Sequence, residues 1–230
     1  MNQNFQVVVA TSLHFGFAEA ICEEMAESAK ARGTGIAKRS PEYLELKMQE
    51  GKAVIALSPE GDWAGFCYIE CWNGEYVANS GLIVRPEFRK YGLAKMIKSK
   101  IFELSRKKYP EAKIFGLTTG LAVMKINSDL GYEPVTYSEL TQDDAFWQGC
   151  KSCVNYDILM SKERKNCLCT AMLYDPKDHY EPEETSANFK EKEKSYARLL
   201  NFKQLRFLKN LRKNHLLFSI YSVCLSWFVH

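Results

Sequence analysis

The stretch YVANSGLIVRPEFRKYGLAKMIKSKIFELSRKK, residues 76–108, constrains the chain more than any other. Its first nine residues, rich in apolar and β-branched side chains, read as a strand ending at Val84. A charged turn follows, and Gly92-x-Ala94 opens a helix over 93–108 with Met96, Ile97, Ile101 and Leu104 on one face. A strand that turns through glycine into a helix gathers free backbone N–H groups at one point, and the helix dipole adds partial positive charge. That is an anion site. Gly92 has no Cβ and lets a phosphate approach, Ala94 keeps the first turn open, and Arg89 and Lys90 add cations. A turn whose glycine only relieves sterics would explain the same residues, so the surrounding elements must decide.

Those elements alternate. FQVVVA (5–10) reads as a strand, 13–31 as an acidic helix with Phe17, Ile21, Met25 and Ala29 at helical spacing, and Ser40-Pro41-Glu42 as an N-cap with proline at the first helical position. KAVIALS and WAGFCYIEC form a hairpin around SPEGD, and the strand 76–84 follows. AKIFGLTT is a further strand and LAVMKINSDL a helix stopped near Gly131 before YEPVTY. The order βααβββαβαβ predicts an α/β (α+β) domain around one mixed sheet. A chain of 230 residues holds such a domain plus appendages, giving 1–140 as the domain, 141–178 as a Cys-rich extension packed on it, and 179–230 as a linker and basic amphipathic tail.

The pattern Arg89-x-x-Gly92-x-Ala94 after the strand LIV and the turn Arg85-Pro86-Glu87-Phe88-Arg89 resembles the GCN5-related N-acetyltransferases over roughly residues 5–140. The resemblance implies a mixed, mostly antiparallel sheet flanked by helices and an acyl-CoA co-substrate such as acetyl-CoA. It implies that Arg89, Lys90, Tyr91, Gly92, Leu93, Ala94 and Lys95 hold the pyrophosphate, and that Leu82, Ile83 and Val84 run beside the pantetheine arm. Gly81 fits a bulge that splays this strand from its neighbour.

Two further stretches, GIAKRSPEYL (35–44) and LTTGLAVMKINSDLGYEPVTYSEL (117–140), are similar to the acetyltransferase domain of bacterial N-acetylglutamate synthases. A dicarboxylate acceptor needs cationic and hydroxyl donors, which Arg39, Lys38, Arg32, Ser40, Thr118 and Thr119 could supply, unless the first pair is solvated and the threonines only end a strand. The chain departs from these synthases at Gly120, where they carry arginine. Asn127 falls where many acetyltransferases place a tyrosine acid, and the usual carboxylate before the pyrophosphate loop is replaced by Ala78-Asn79-Ser80. Glu70, ending the strand WAGFCYIE, is the candidate base, against the plainer reading of a rim charge.

Cys150-x-x-Cys153 and Cys167-x-Cys169 form two close pairs, with VNYDIL between them reading as a strand. Two such hooks match a structural zinc site; buried free thiols and a redox pair are the alternatives. The N-terminus lacks a basic stretch followed by an apolar core, so no signal peptide is expected and the eight cysteines belong in a reducing, cytoplasmic setting. A net charge of +3 is too small by itself to imply a nucleic-acid partner, and none is expected. Residues 187–215 carry nine Lys or Arg against two Glu, with leucines interleaved at helical spacing. Peripheral membrane contact, contact with RNA and packing on the domain stay open for this segment, as do interfacial anchoring, a dimer contact or a disordered end for the apolar residues 216–229.

The resemblance therefore implies an N-acyltransferase that moves acetyl, or succinyl, to the amine of glutamate or a relative, a step of arginine biosynthesis. Another small amine or a peptide as acceptor, or a non-catalytic acyl-CoA- or metal-binding module, are the competing readings.

Overall fold

A computed structural model describes residues 4–33 and 38–179; the basic tail and its apolar end lie outside them, as does the side chain of Arg32. One seven-stranded sheet forms the middle layer. Its strands are β1 (Gln6–Val9), β2 (Ala53–Leu57), β3 (Trp63–Trp72), β4 (Tyr76–Val84), β5 (Lys113–Thr118), β6 (Glu133–Val135) and β7 (Thr170–Tyr174). Their spatial order is β1-β2-β3-β4-β5-β7-β6, antiparallel throughout except for β4 against β5. The one mixed sheet expected from the element order is present, and it is mostly antiparallel, as the resemblance implied.

Alternation along the strands sends successive side chains to opposite faces. Val54, Ala56, Cys67 and Ile69 pack with Leu93, Ile97 and Ile101 of α3 (Leu93–Lys108) on one face. Ala53, Ile55, Phe66 and Tyr68 pack on the other with α1 (Ala18–Arg32) and α2 (Pro41–Gln49). α4 (Leu121–Asp129) joins the α3 layer through Met124. Truncating Ile101, fully buried beneath the sheet, to alanine would cost about 2–5 kcal/mol.

Local signals account for the helix ends. Ser40 Oγ accepts the Tyr43 N–H and Pro41 occupies the first turn of α2. α3 spans the predicted 93–108, with Gly92 at φ +79° as its N-cap. Residues 12–17 begin the first helical segment as a 3-10 turn, so the α-helix proper starts only at Ala18.

The stretch after residue 140 differs from its reading. VNYDIL is not a strand: α6 (Tyr156–Ser161) occupies it, preceded by α5 (Asp144–Gln148). β7 enters the sheet between β5 and β6, so 170–174 is part of the core rather than an outer layer. Met172 packs with the α3 side, while Ala171 and Leu173 pack with Trp147 and Leu159 on the opposite face. Among the described residues, no helix is long and apolar enough to cross a membrane.

Candidate active site

β4 and β5 stay in register only from Tyr76↔Lys113 to Ala78↔Phe115. Beyond Ala78 they part. The cause lies in β4: Phe66 pairs with Ile83 and Tyr68 with Ser80, so Gly81 and Leu82 together oppose Cys67 in a bulge. Gly81 has φ +65°, and a Cβ there would stand 2.4 Å from Tyr68 Cε1 and 2.9 Å from Met25 Cε, so only glycine makes this bend.

A cavity of about 450 Å³ occupies the splay and is lined by side chains from both faces of the sheet. On the α1–α2 side it is lined by Arg39, Tyr43, Tyr68, Glu70 and Trp72, with Phe146 and Cys150 closing it from the α5 side. On the α3–α4 side Lys98 and Asn127 line it, and Ser80, Leu82, Thr118 and Thr119 form its edges. Thr118 Oγ1 accepts the Gly120 N–H at 3.0 Å, which shapes the entry to α4.

Glu70 sits directly across from Ala78 on the neighbouring strand. Its Oε2 accepts from Lys47 Nζ at 2.9 Å and its Oε1 accepts from the Tyr43 hydroxyl. Burial pushes the Glu70 carboxyl up to about 7, opposed by the nearby Arg39 guanidinium. The paired ammonium of Lys47, itself lowered by burial, also favours the ionised carboxylate. Arg39 Nε donates to Tyr68 Oη at 2.9 Å, and its guanidinium lies 5.2 Å from the Tyr43 ring centre. Trp72, Phe115 and Phe146 make an aromatic wall with ring centres 5.0–5.7 Å apart.

The turn before α3 presents the helix N-terminus, and none of Val84 and Arg89 to Lys95 is among the residues lining the cavity. Leu93 and Ala94 N–H lie in its first turn, where no intrahelical acceptor exists, and space beside Gly92 Cα is open. Lys90 has φ +72° and Tyr91 is half exposed against the Phe5 ring. Arg89 is already engaged: Nε donates to Val84 O, and Nη2 to Glu24 and Ser28 of α1. Lys95 pairs with Asp129 at the surface, 2.8 Å away. The turn thus offers chiefly backbone donors.

The structure brings Arg39, Glu70, Thr118, Thr119 and Asn127 to one cavity, with Leu82 at its edge. Lys38 is exposed and is not among the lining residues, its N–H donating to Ser152 Oγ, and Ser40 spends its hydroxyl oxygen on capping α2. Ile83 is buried against α1 rather than open to the cleft.

The zinc site expected at Cys150, Cys153, Cys167 and Cys169 is not formed: among the described residues, no three His, Cys, Asp or Glu side chains are placed to hold a metal ion. A helix rather than a returning strand connects the two pairs, and although the thiols are near neighbours, Cys153 and Cys167 bond to Asn155. Cys153 Sγ accepts the Asn155 N–H and Cys167 Sγ donates to Asn155 O. Burial pushes Cys150 up to about 11 and Cys169 to about 12, keeping both protonated.

Tyr43, Lys47 and Lys98 were not singled out in the sequence. Tyr43 and Lys47 stand one helical turn apart on α2, a spacing that places both on the Glu70 side. Lys98 shares a face with Ile101 and Ser105, all buried, which is an unusual place for lysine.

Comparison with known proteins agrees with this geometry. No family model matches the chain. Thialysine N-epsilon-acetyltransferase of Caenorhabditis elegans is 28% identical over 148 residues, 63% of this chain and 90% of that protein. The chain superposes on N-acetylglutamate synthase of Neisseria gonorrhoeae, solved with coenzyme A and N-acetyl-glutamate, at a TM-score of 0.53 and 16% identity. That match covers 74% of this chain but only 35% of the synthase. A Mycobacterium tuberculosis protein solved with CoA matches at a TM-score of 0.54 and 15% identity, over 74% of this chain and 98% of that one.

Proposed function

We propose that this chain, which has the fold of the GCN5-related N-acetyltransferases, is one of them and transfers an acetyl group from acetyl-CoA to a primary amine of a small amino acid. The observation that carries this reading is one cavity joining the β4–β5 splay to the Glu70–Arg39 cluster. Such a cavity lets a thioester enter from one face of the sheet and an amine from the other.

The pyrophosphate rests on the backbone N–H groups of the turn before α3, where the helix dipole favours negative charge. The pantetheine arm lies in the splay, along the edge of β4 that β5 leaves unpaired beyond Ala78. Backbone N–H groups in this bulge are the donors for the oxyanion formed at the thioester carbonyl. Asn127 Oδ1, buried with no hydrogen-bond partner, suits an amide N–H of the arm.

An amino-acid acceptor presents its carboxylate to Arg39, whose guanidinium is fixed by Tyr68 and faces the cavity. Its ammonium comes to Glu70, which takes a proton and leaves the neutral amine that attacks. A carboxyl that titrates near 7 is well matched to that exchange at neutral pH. Holding both partners in one cavity supplies much of the rate, up to roughly 7–11 kcal/mol in favourable intramolecular cases.

Glutamate, the acceptor implied by the resemblance to the synthases, would place the reaction in arginine biosynthesis. A second reading is favoured by the site's charge: Arg39 matches one carboxylate, and Glu70 with the Trp72–Phe146 wall matches an aminoalkyl chain. This second acceptor has its amine at the side-chain end, as in the substrate named for the nematode relative.

The test is CoA release from acetyl-CoA and succinyl-CoA against glutamate, lysine, thialysine, a polyamine and a short peptide. Turnover with an amino acid supports the reading. Turnover confined to the polyamine or peptide moves the acceptor class, and CoA binding without any turnover leaves a non-catalytic module.

A further inference from the structure

The acceptor side of the cavity holds a base, but the reaction also needs somewhere for the negative charge on sulfur to go. On the acyl-CoA reading, with the pyrophosphate at the N-terminus of α3 and the amine at Glu70, the departing thiolate forms on the α3–α4 side of the splay. Of the groups on that side, Asn127 and Asn79 are amides with no acidic proton to release, and Thr118 and Thr119 at the edge are ordinary hydroxyls. Lys98 is different. It is 2% exposed, reaches the cavity from α3, and forms no ion pair with a carboxylate among the described residues.

Its surroundings fix it without neutralising it. Nζ donates to Asn79 Oδ1 at 3.2 Å and lies 5.0 Å from the Tyr132 ring centre. Asn79 is in turn held by Tyr132 Oη at 3.0 Å and by Ser105 Oγ at 2.8 Å. The charge-bearing neighbours that face it are the Cys67 thiol on β3 and the Tyr132 phenol. Burial pushes Cys67 up to about 11 and Tyr132 well above its ordinary value, so both are neutral at physiological pH. An uncompensated buried cation is costly, and its retention beside a cavity points to an anion that arrives with the ligand.

We propose that Lys98 is the general acid of this enzyme, giving its proton to the coenzyme A sulfur as the thioester breaks. The inference rests on the acyl-CoA reading of the cavity. Glu70 passes the proton it took from the ammonium to water; as the amine nitrogen then bonds to the carbonyl carbon and the C–S bond breaks, the nitrogen's surplus proton passes to the carboxylate so regenerated. The sulfur takes a proton from the Lys98 ammonium, and the resulting neutral amine recovers one from water entering the emptied cavity. Position on the leaving side is the main argument. Burial also lowers Lys98 to about 8, close to the range of an ordinary thiol, so proton transfer between them is nearly balanced.

Two measurements on the full chain decide it. The first compares Lys98→Met and Lys98→Arg with the native protein in acetyl-CoA turnover across pH 6–10. Lys98→Met keeps the side chain's length and lowers kcat by about 10²–10⁴-fold, with little change in the KM for acetyl-CoA. The native kcat falls as pH rises through about 8; this limb disappears in Lys98→Met and moves to higher pH in Lys98→Arg. The second compares affinities for CoA and desulfo-CoA at pH 8.5 by calorimetry. Native protein prefers CoA through its thiolate, and Lys98→Met loses the preference while binding desulfo-CoA as before.

Turnover and pH profile unchanged in Lys98→Met, or a uniform loss with the pH limb intact and desulfo-CoA binding impaired, overturns the acid role and leaves the acyltransferase reading standing. No turnover with any amine, but a Lys98-dependent preference for CoA, overturns the transfer reading and keeps Lys98 beside the sulfur. Neither turnover nor preference overturns both.

Discussion

Lys47 Nζ lies 2.9 Å from Glu70 Oε2, and both side chains are nearly withdrawn from water inside the cavity wall. This pair sets the protonation of the group proposed as base. Glu70 must be ionised to accept a proton, and burial holds it at about 7. Activity under kcat/KM conditions for the acceptor therefore rises with pH through about 7 before the Lys98 limb turns it down. Glu70→Gln, which keeps the shape but cannot accept the proton, removes the rising limb and lowers kcat by about 10²-fold or more. An unchanged profile would make Glu70 a rim charge.

Arg39 is bound by Tyr68 and lies over Tyr43, so its guanidinium is positioned before any substrate arrives. Arg39→Ala is expected to raise the KM for an amino-acid acceptor at least about tenfold, the loss of a charge-assisted contact of some 1.4 kcal/mol or more. The KM for acetyl-CoA should scarcely move. Equal effects on both, or none, would separate Arg39 from the acceptor carboxylate.

The N-terminus of α3 gives a different signature. Gly92 has φ +79° and open space beside it, so Gly92→Val both strains the backbone and covers the amides where a phosphate would rest. CoA affinity measured by calorimetry should drop by well over about tenfold. Gly61→Ala is the control: at φ +91°, also with open space, it carries the strain without the phosphate site. A similar CoA affinity in the two variants would remove the cradle.

Much of this architecture is legible in the residues because local rules agree with the tertiary result. Ser40-Pro41 caps α2, Gly92 starts α3, and Gly131 at φ +86° follows α4, each for a backbone reason that acts within a few residues. The region after 140 is less legible because its apolar runs are short. Tyr156–Ser161 forms a helix with only Leu159 buried, a pattern that a six-residue window cannot distinguish from a strand. Residues 170–174 pack on both faces of the sheet, so they show no polar alternation to announce a core strand. The acceptor side escapes the sequence for another reason. Tyr43, Lys47, Glu70 and Phe146 come from three separated elements, and only β3–α2 packing and the return of α5 bring them together. Lys98 alone left a local trace, a lysine on the apolar face of α3.

The thiols give a prediction opposite to the zinc expectation. No set of three ligands converges at the four thiols among the described residues. Protein purified without chelators should contain well below one zinc per chain by elemental analysis. Cys153→Ser, which retains an acceptor for the Asn155 N–H, should change the melting temperature little. Stoichiometric zinc, released by that substitution, would require the two pairs to rearrange into a closed site.

The bulge in β4 is the most exacting feature of the cavity, since it creates the splay. At Gly81 an added methyl meets Tyr68 Cε1 at 2.4 Å and Met25 Cε at 2.9 Å, and the φ of +65° disfavours any other residue. Met25 can swing its terminal methyl away, but Tyr68 is buried and tied to Arg39 through its hydroxyl. Gly81→Ala must therefore either push Tyr68 and with it Arg39, or straighten β4 and close the gap to β5. The first route costs about 1–3 kcal/mol of stability in overpacking, added to about 1–2 kcal/mol of backbone strain. Both routes damage transfer: displacing Arg39 raises the acceptor KM, and closing the gap abolishes CoA binding. Thermal unfolding together with calorimetric CoA titration distinguishes them. A variant with native stability, native CoA affinity and native turnover would show that the bulge tolerates a side chain and does not govern the cavity.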